Sequence, residues 1–325
     1  QTVCSSDLPV VPMFHVMSWG IPFAACLTGA KPVYPGNQLI GKPIADLIEQ
    51  EKVTLAAGVP TIWNVLLQHL KKEKTDISSI RAMVVGGSAA PPAMIEAYQK
   101  EHGVQILHAW GMTETSPLGT VANLKRHMSS WSAEDQLKQR SKQGAFVPLV
   151  EARIVDDAGN PLAWDGKNSG ELQVKGPWIA ASYYKPENKE ANAAFTADGW
   201  FGTGDVARVD GHGFMEITDR KKDLIKTRGE WLSSVEMENA AMAFPDVLEA
   251  AVVGRPDDVR GEAAVLFLTP KPEKKDTLDL KALHAFLSEK FAHWQVPKLT
   301  DMHVIEAIPK TSVGKFDKKV LRKRL

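Results

Sequence analysis

Only two cysteines, Cys4 and Cys26, occur in 325 residues. No disulfide framework can be built from them, so both read as small buried residues and the chain suits a reducing, cytoplasmic setting. Neither sign of charge dominates: 39 Lys and Arg balance 39 Asp and Glu. A surface without a basic excess carries no electrostatic footprint for nucleic acid or an anionic membrane. The nearly uncharged stretch from Leu8 to Ala30 is broken by Pro9, Pro12, His15, Gly20 and Pro22, which argues against a transmembrane segment. No basic segment precedes an apolar one, so no signal peptide is expected. Internal repeats are absent. What is present is a hydrophobic content of 44%, enough for a sizeable core, in a length that calls for two or more domains. The chain opens at Gln1 directly on core-like sequence, from which we expect a fragment of a longer protein.

Residues 1–143 alternate strand and helix patterns. Strands are expected at Leu8–Val11, Lys31–Tyr34, Leu55–Gly58, Ala82–Gly86 and Gln105–Ala109, and a buried helix from about Ser18. Further helices are expected at Pro43–Lys52, Thr61–Lys72 and Pro91–Glu101, with prolines near their starts, where a missing N–H costs nothing. This alternation implies an α/β fold with a mainly parallel sheet and helices on its faces. The polar segment Lys125–Lys142 reads as a surface helix or excursion. Residues 144–219 read as a small β subdomain, with strands at Val150–Val155, Gly170–Lys175, Val206–Asp210 and Phe214–Thr218 separated by Asp/Gly turns. Residues 220–325 read as a small α+β domain: helix Ser233–Ala243, strands Glu249–Gly254 and Ala263–Leu268, and helix Asp279–Trp294 with Leu280, Leu283, Leu287, Phe291 and Trp294 on one face.

Several segments can carry chemistry. In Val84-Val85-Gly86-Gly87-Ser88-Ala89-Ala90-Pro91 an apolar strand ends in glycines and small residues before a helix. A flat ligand can lie against such backbone at the strand's carboxyl end; taken alone, the segment is equally an ordinary strand–helix turn. In Trp110-Gly111-Met112-Thr113-Glu114 the indole can stack on a purine, Thr113 can bond a phosphate and Glu114 can hold Mg²⁺. The same residues also suit a capping segment with a solvent-facing Glu. Asp205, in Gly202-Thr203-Gly204-Asp205, suits vicinal ribose hydroxyls or a simple Asx turn, and Arg220 offers a fork of donors or a surface ion pair. Lys315, behind Gly314 in Pro309-Lys310-Thr311-Ser312-Val313-Gly314-Lys315 and before a basic helix, can swing toward an anion or be one of several tail lysines.

Together and in this order, these segments resemble the adenylate-forming superfamily of acyl-CoA synthetases, luciferases and peptide-synthetase adenylation domains, over essentially the whole chain. The resemblance implies that Gly87, Ser88, Ala89, Ala90 and Pro91 border adenine, that Trp110 stacks on it, that Gly111 and Met112 belong to the cofactor site, and that Thr113 and Glu114 serve the phosphates and magnesium. It assigns Asp205 and Arg220 to ribose, makes Lys222 the hinge of a mobile C-terminal domain, and makes Lys315 the lysine bridging carboxylate and α-phosphate. Pro12-Met13-Phe14-His15-Val16-Met17-Ser18-Trp19-Gly20 is similar to the acyl-CoA synthetase gate. There His15 contacts the acyl or phosphate region and Trp19 closes the acyl tunnel; a helical turn would put the two, four residues apart, on one face. Gly229-Glu230-Trp231-Leu232-Ser233-Ser234 resembles bacterial medium- and long-chain fatty-acyl-CoA synthetases, with Gly229 passing pantetheine and Lys226, Arg228 and Trp231 facing CoA.

The superfamily's phosphate loop, a Ser/Thr-Gly-Thr-Thr-Gly-x-Pro-Lys-Gly run, occurs nowhere in these residues. The expected activity is therefore that of an ATP-dependent fatty-acid–CoA ligase present as a fragment without this loop, inactive by itself, using ATP, Mg²⁺ and CoA. A homodimer is compatible with the resemblance. Competing readings are a non-catalytic nucleotide- or CoA-binding remnant, a luciferase-like or carrier-loading adenylating enzyme, and a ligase for a short thioether acid such as methylthiopropionate.

Overall fold

The computed structural model describes residues 5–184, 192–228, 230–275, 277–311 and 315–325. Cys4, Gly229 and the Ser312-Val313-Gly314 approach to Lys315 lie outside the described residues. The chain divides into two compact units. The first holds the described residues up to Thr203 with Arg208–Glu216; the second holds Gly204–Ala207 and Ile217–Leu325.

In the first unit, β1 (Ser6–Pro9), β2 (Lys31–Pro32), β3 (Leu55–Gly58), β4 (Ala82–Val85) and β5 (Gln105–Gly111) pair in parallel, in the order β2-β1-β3-β4-β5. The connections are α1 (Ile21–Thr28), α2 (Lys42–Glu51), α3 (Pro60–Leu70) and α4 (Pro92–His102). A proline occupies the first turn of each helix, as its locked φ allows. Ile44, Ile48, Trp63, Leu66, Met94, Ile95 and Tyr98 bury the helices' apolar stripes against Leu8, Ala56, Met83 and Ile106. The Tyr98 hydroxyl donates to the Trp63 carbonyl at 2.7 Å, satisfying a buried polar group and tying α4 to α3.

The sheet then turns antiparallel through β6 (Leu118–Val121) and β7 (Gly144–Phe146), with α5 (Ala133–Arg140) between them. Strands β8 (Glu151–Val155), β9 (Gly170–Lys175), β10 (Phe201–Val209) and β11 (Phe214–Arg220) complete eleven, in the order β2-β1-β3-β4-β5-β6-β7-β11-β10-β9-β8. Strands β10 and β11 divide their residues between the two units.

The second unit is built on β12 (Ile225–Thr227), β13 (Glu230–Leu232), β14 (Val247–Asp257), β15 (Gly261–Pro270) and β16 (Met302–Val304). Strands β14 and β15 form a long hairpin whose two faces are both covered, so its sequence is a near-continuous apolar run. Ala250, Val252, Leu266 and Leu268 face α6 (Ser234–Met242) and α7 (Leu280–Ser288). Ala251, Val253, Val265 and Phe267 pack with Ile308 and with Leu321 of α8 (Lys318–Arg322).

Several expectations are corrected. Cys26, expected to be buried, is exposed, because α1, expected to be a buried helix, hides only the narrow face of Pro22 and Ala25. The helix expected at Asp279–Trp294 ends at Ser288, so Trp294 lies beyond it and is only half-buried. Phe291 and Val296 still reach the same core as Leu283 and Leu287, but from the turns that follow the helix. The helix expected from about Ser18 starts at Ile21, because Val16, Met17, Ser18 and Trp19 have φ of 42, 47, 52 and 55°. They make a left-handed turn, which costs L-residues about 1–2 kcal/mol each. The buried Ser18 hydroxyl helps hold it, donating to the Val11 carbonyl at 2.6 Å.

Candidate active site

The first unit gathers one group of residues at the carboxyl ends of its parallel strands. The Gly86–Pro91 turn follows β4, with Gly87 at φ 82°. Gly86 is needed for close approach: a Cβ there would lie 3.0 Å from the Ala109 carbonyl oxygen and 3.4 Å from Cη2 of Trp19. The half-buried Trp19 indole thus covers this turn. The left-handed turn removes the right-handed helical geometry that would put His15 and Trp19 on one face. Trp19 reaches the site through packing on Gly86.

Trp110, 7% exposed, ends β5 against β6. Gly119 receives its ring, since a Cβ at Gly119 would fall 2.3 Å from Cζ3 of the indole. Thr115, fully buried, builds the following turn: its Oγ1 accepts from the Met112 N–H at 2.9 Å and donates to the Pro117 carbonyl at 2.6 Å. This leaves Thr113 exposed and Glu114 half-buried. The Tyr183 hydroxyl donates to Glu114 Oε1 at 2.6 Å, and desolvation together with that bond pushes the phenol up to about 12. One carboxylate offered beside a hydroxyl suits Mg²⁺, which takes few protein ligands and completes its shell with phosphate oxygens and water.

Sequence reasoning missed Tyr183 and His108. Tyr183 meets Glu114 across 69 positions, a pairing no local pattern carries. His108 had a signal: it precedes Trp110 by two residues on β5, hence on the same face of the strand. The His108 Nδ1 lies 3.0 Å from the Ser141 carbonyl, which only accepts, so Nδ1 carries the proton. Its Nε2 is then free to accept the Ala90 N–H, at 3.3 Å. Burial holds the ring neutral, pushing its pKa down to about 4. His108 thereby ties the Gly86–Pro91 turn to the residues after α5.

The second unit gathers another group. Arg220 Nε lies 3.2 Å from Oδ1 of the buried Asp205. Both charges act on the half-buried Lys315. Burial lowers its pKa first, the Arg220 charge lowers it further, and Asp205 opposes them. The lysine's loop is closed by backbone: the Thr311 N–H donates to the Lys315 carbonyl at 2.8 Å and the Asp317 N–H to the Pro309 carbonyl at 2.7 Å. One carboxylate and two cations make a site for an anionic ligand bearing hydroxyls.

Lys222 is exposed, and its carbonyl accepts from Arg322 at 3.5 Å. Lys226 pairs across the β12–β13 ladder with Trp231, its Nζ 5.4 Å from the ring centroid. The indole is 53% exposed, a flat surface of the kind that receives a base or an acyl arm. Arg228 takes φ 54° and its N–H donates to the Arg260 carbonyl at 2.7 Å.

Each unit thus carries groups suited to part of a nucleotide: a glycine turn near an aromatic strand end in the first, and a carboxylate–arginine pair in the second. The chain belongs to the AMP-binding enzyme family, matching it over residues 5–184, and the AMP-binding enzyme C-terminal domain over residues 236–315. Among curated relatives it is 45% identical to a long-chain-fatty-acid–CoA ligase of Thermus thermophilus, covering 98% of this chain and 58% of that protein. It is also 45% identical to a 3-methylmercaptopropionyl-CoA ligase of Ruegeria lacuscaerulensis, over 97% of this chain and 57% of that one. A medium-chain-fatty-acid–CoA ligase of Ectopseudomonas oleovorans is 39% identical over 98% and 57%. The chain therefore spans a little under three fifths of these relatives' length. ATP-bound MatB from Rhodopseudomonas palustris superimposes with a TM-score of 0.84 at 26% identity, covering 99% of this chain and 60% of that one. No described helix is long and apolar enough to cross a membrane.

Proposed function

We propose that this chain is the larger part of an ATP-dependent fatty-acid–CoA ligase. In the first step a carboxylate oxygen attacks the α-phosphorus of ATP, the bond to pyrophosphate breaks, and acyl-adenylate forms. In the second the CoA sulfur attacks the acyl carbonyl, the bond to phosphate breaks, and AMP leaves. The observation that carries this reading is that the charges of Arg220 and Asp205, themselves paired at 3.2 Å, both act on Lys315. A partly desolvated ammonium acted on by a ribose-type clamp is matched to the negative charge gathering at phosphorus.

In this reading Gly87, Ser88, Ala89, Ala90, Pro91 and Trp110 take adenine. Gly111 and Met112 line the cofactor, Thr113 serves the phosphates, and Glu114 holds Mg²⁺. Asp205 and Arg220 take ribose, while His15 and Trp19 meet the acyl group. Lys226, Arg228, Gly229 and Trp231 face CoA. Lys222 is the hinge of a C-terminal domain beginning at residue 220, after an α/β layer to residue 143 and a β subdomain at 144–219. The polypeptide works in the cytoplasm, as a homodimer. The likeness to the Ruegeria ligase supports a second acid, a short thioether such as 3-methylmercaptopropionate.

The test is Lys315→Ala in the full-length polypeptide. Loss of one well-placed donor of this kind costs about 3–4 kcal/mol, so acyl-adenylate formation should fall roughly 100- to 1,000-fold. Thioester formation from supplied acyl-adenylate should change little. An equal fall in both half-reactions would mark Lys315 as structural. Absence of pyrophosphate release by the unmodified protein with any carboxylic acid would favour a non-catalytic nucleotide- or CoA-binding role.

A further inference from the structure

The terminal helix draws a second lysine into the interior. Lys318 opens α8, three residues after Lys315, and only 13% of its side chain is exposed. Its Nζ lies 2.7 Å from Glu238 Oε1 and 2.6 Å from Ser234 Oγ. An ammonium only donates, so the Ser234 hydroxyl must accept from it and send its own proton onward. That proton goes to Asp219 Oδ1, at 3.0 Å, while the Ser234 N–H donates to Asp219 Oδ2 at 2.5 Å. Asp219 Oδ1 also takes the Arg220 N–H at 2.7 Å, and Glu238 Oε1 takes the Val252 N–H at 2.8 Å. Each contact in the chain has one consistent proton assignment.

Two carboxylates, Asp219 at 1% and Glu238 at 7% exposure, thus share one ammonium. Burial raises both carboxyl groups, and the Lys318 charge opposes that shift in each. Removing the ammonium would leave two acids in the interior without their cation. The sequence positions matter as much as the charges. Lys318 is tethered to Lys315 by Phe316 and Asp317 alone, and Asp219 immediately precedes Arg220. One buried relay, Asp219–Ser234–Lys318–Glu238, therefore registers the lysine that meets the reacting phosphate against the arginine of the ribose clamp.

We propose that Lys318 is a positioning residue for adenylation, acting through Lys315. This rests on the reading of Lys315 given above, and the test separates the two. Four variants of the full-length protein are compared in both half-reactions: Lys315→Ala, Lys318→Arg, Ser234→Ala, and Lys318→Met combined with Glu238→Gln. The last keeps volume and the Val252 bond and removes Lys318 and Glu238 as an opposite pair, so the net buried charge is unchanged, and Asp219 keeps its donors from Ser234 and Arg220. Adenylation should fall about tenfold or more in the Met/Gln variant and about threefold in Ser234→Ala, and return to within about threefold of wild type in Lys318→Arg. Thioester formation from supplied acyl-adenylate should stay within about twofold throughout. A residue acting through Lys315 has nothing left to position once Lys315 is gone. On a Lys315→Ala background the Met/Gln change should therefore lower adenylation by no more than about twofold. Equal losses in both half-reactions, or losses that multiply onto Lys315→Ala, overturn the inference. A Lys315→Ala variant with undiminished adenylation sinks the Lys315 reading and this inference with it. A crippled Lys315→Ala beside a fully active Met/Gln variant overturns the inference alone.

Discussion

Acidification should unpin the Gly86–Pro91 turn through a single histidine. His108 is buried in its neutral form, with its pKa lowered from 6.5 to about 4 by desolvation. In the unfolded chain the same imidazole titrates near 6.5. Above that value both states are neutral and the histidine has no pH-dependent effect. Between about 6.5 and 4 the unfolded state binds a proton that the folded state refuses, so stability falls as pH falls. A gap of about 2.5 units corresponds to about 3 kcal/mol lost by pH 4, a large share of a domain's usual stability. Protonation would also turn Nε2 from acceptor to donor and set it against the Ala90 N–H. The control is His108→Gln, whose amide can still reach both partners but does not titrate. Urea unfolding followed by tryptophan fluorescence, from pH 7.5 to 4, should show wild type losing about 3 kcal/mol more than the variant across that window. Parallel losses in the two proteins would refute the reasoning, since the other titrating groups are common to both.

Gly119→Ala should destabilise the first unit by about 1–3 kcal/mol and weaken ATP binding, because the new methyl would overlap the Trp110 ring. A thermal melt and an ATP titration check this, and an unchanged melt would show that the indole moves aside freely. Trp19→Ala should alter acyl chain-length preference while ATP affinity stays nearly constant. The ring is half-buried, so its removal should cost well under the roughly 3–5 kcal/mol of a core tryptophan. A large drop in melting temperature with an unchanged chain-length profile would make it packing alone.

Much of this protein is written locally. Period-two and helical patterns, with prolines at helix starts, place β3 and β9 at the observed residues and most other elements within a few. They do so because each segment's apolar stripe has one way to be buried. The residues of the candidate site were legible for a related reason: glycines, a strand-end aromatic and a terminal lysine each stand in a short motif. Periodicity could not reveal the left-handed turn at Val16–Trp19, because a four-residue spacing reads the same whichever hand the backbone takes. It could not end α7 at Ser288 either, since the apolar spacing continues to Phe291, which packs on the same core from outside the helix. Tyr183 on Glu114, and the relay from Asp219 to Glu238, join residues distant in sequence. Such pairs are chosen by which buried polar groups need partners, and that is settled only when the strands and helices have packed.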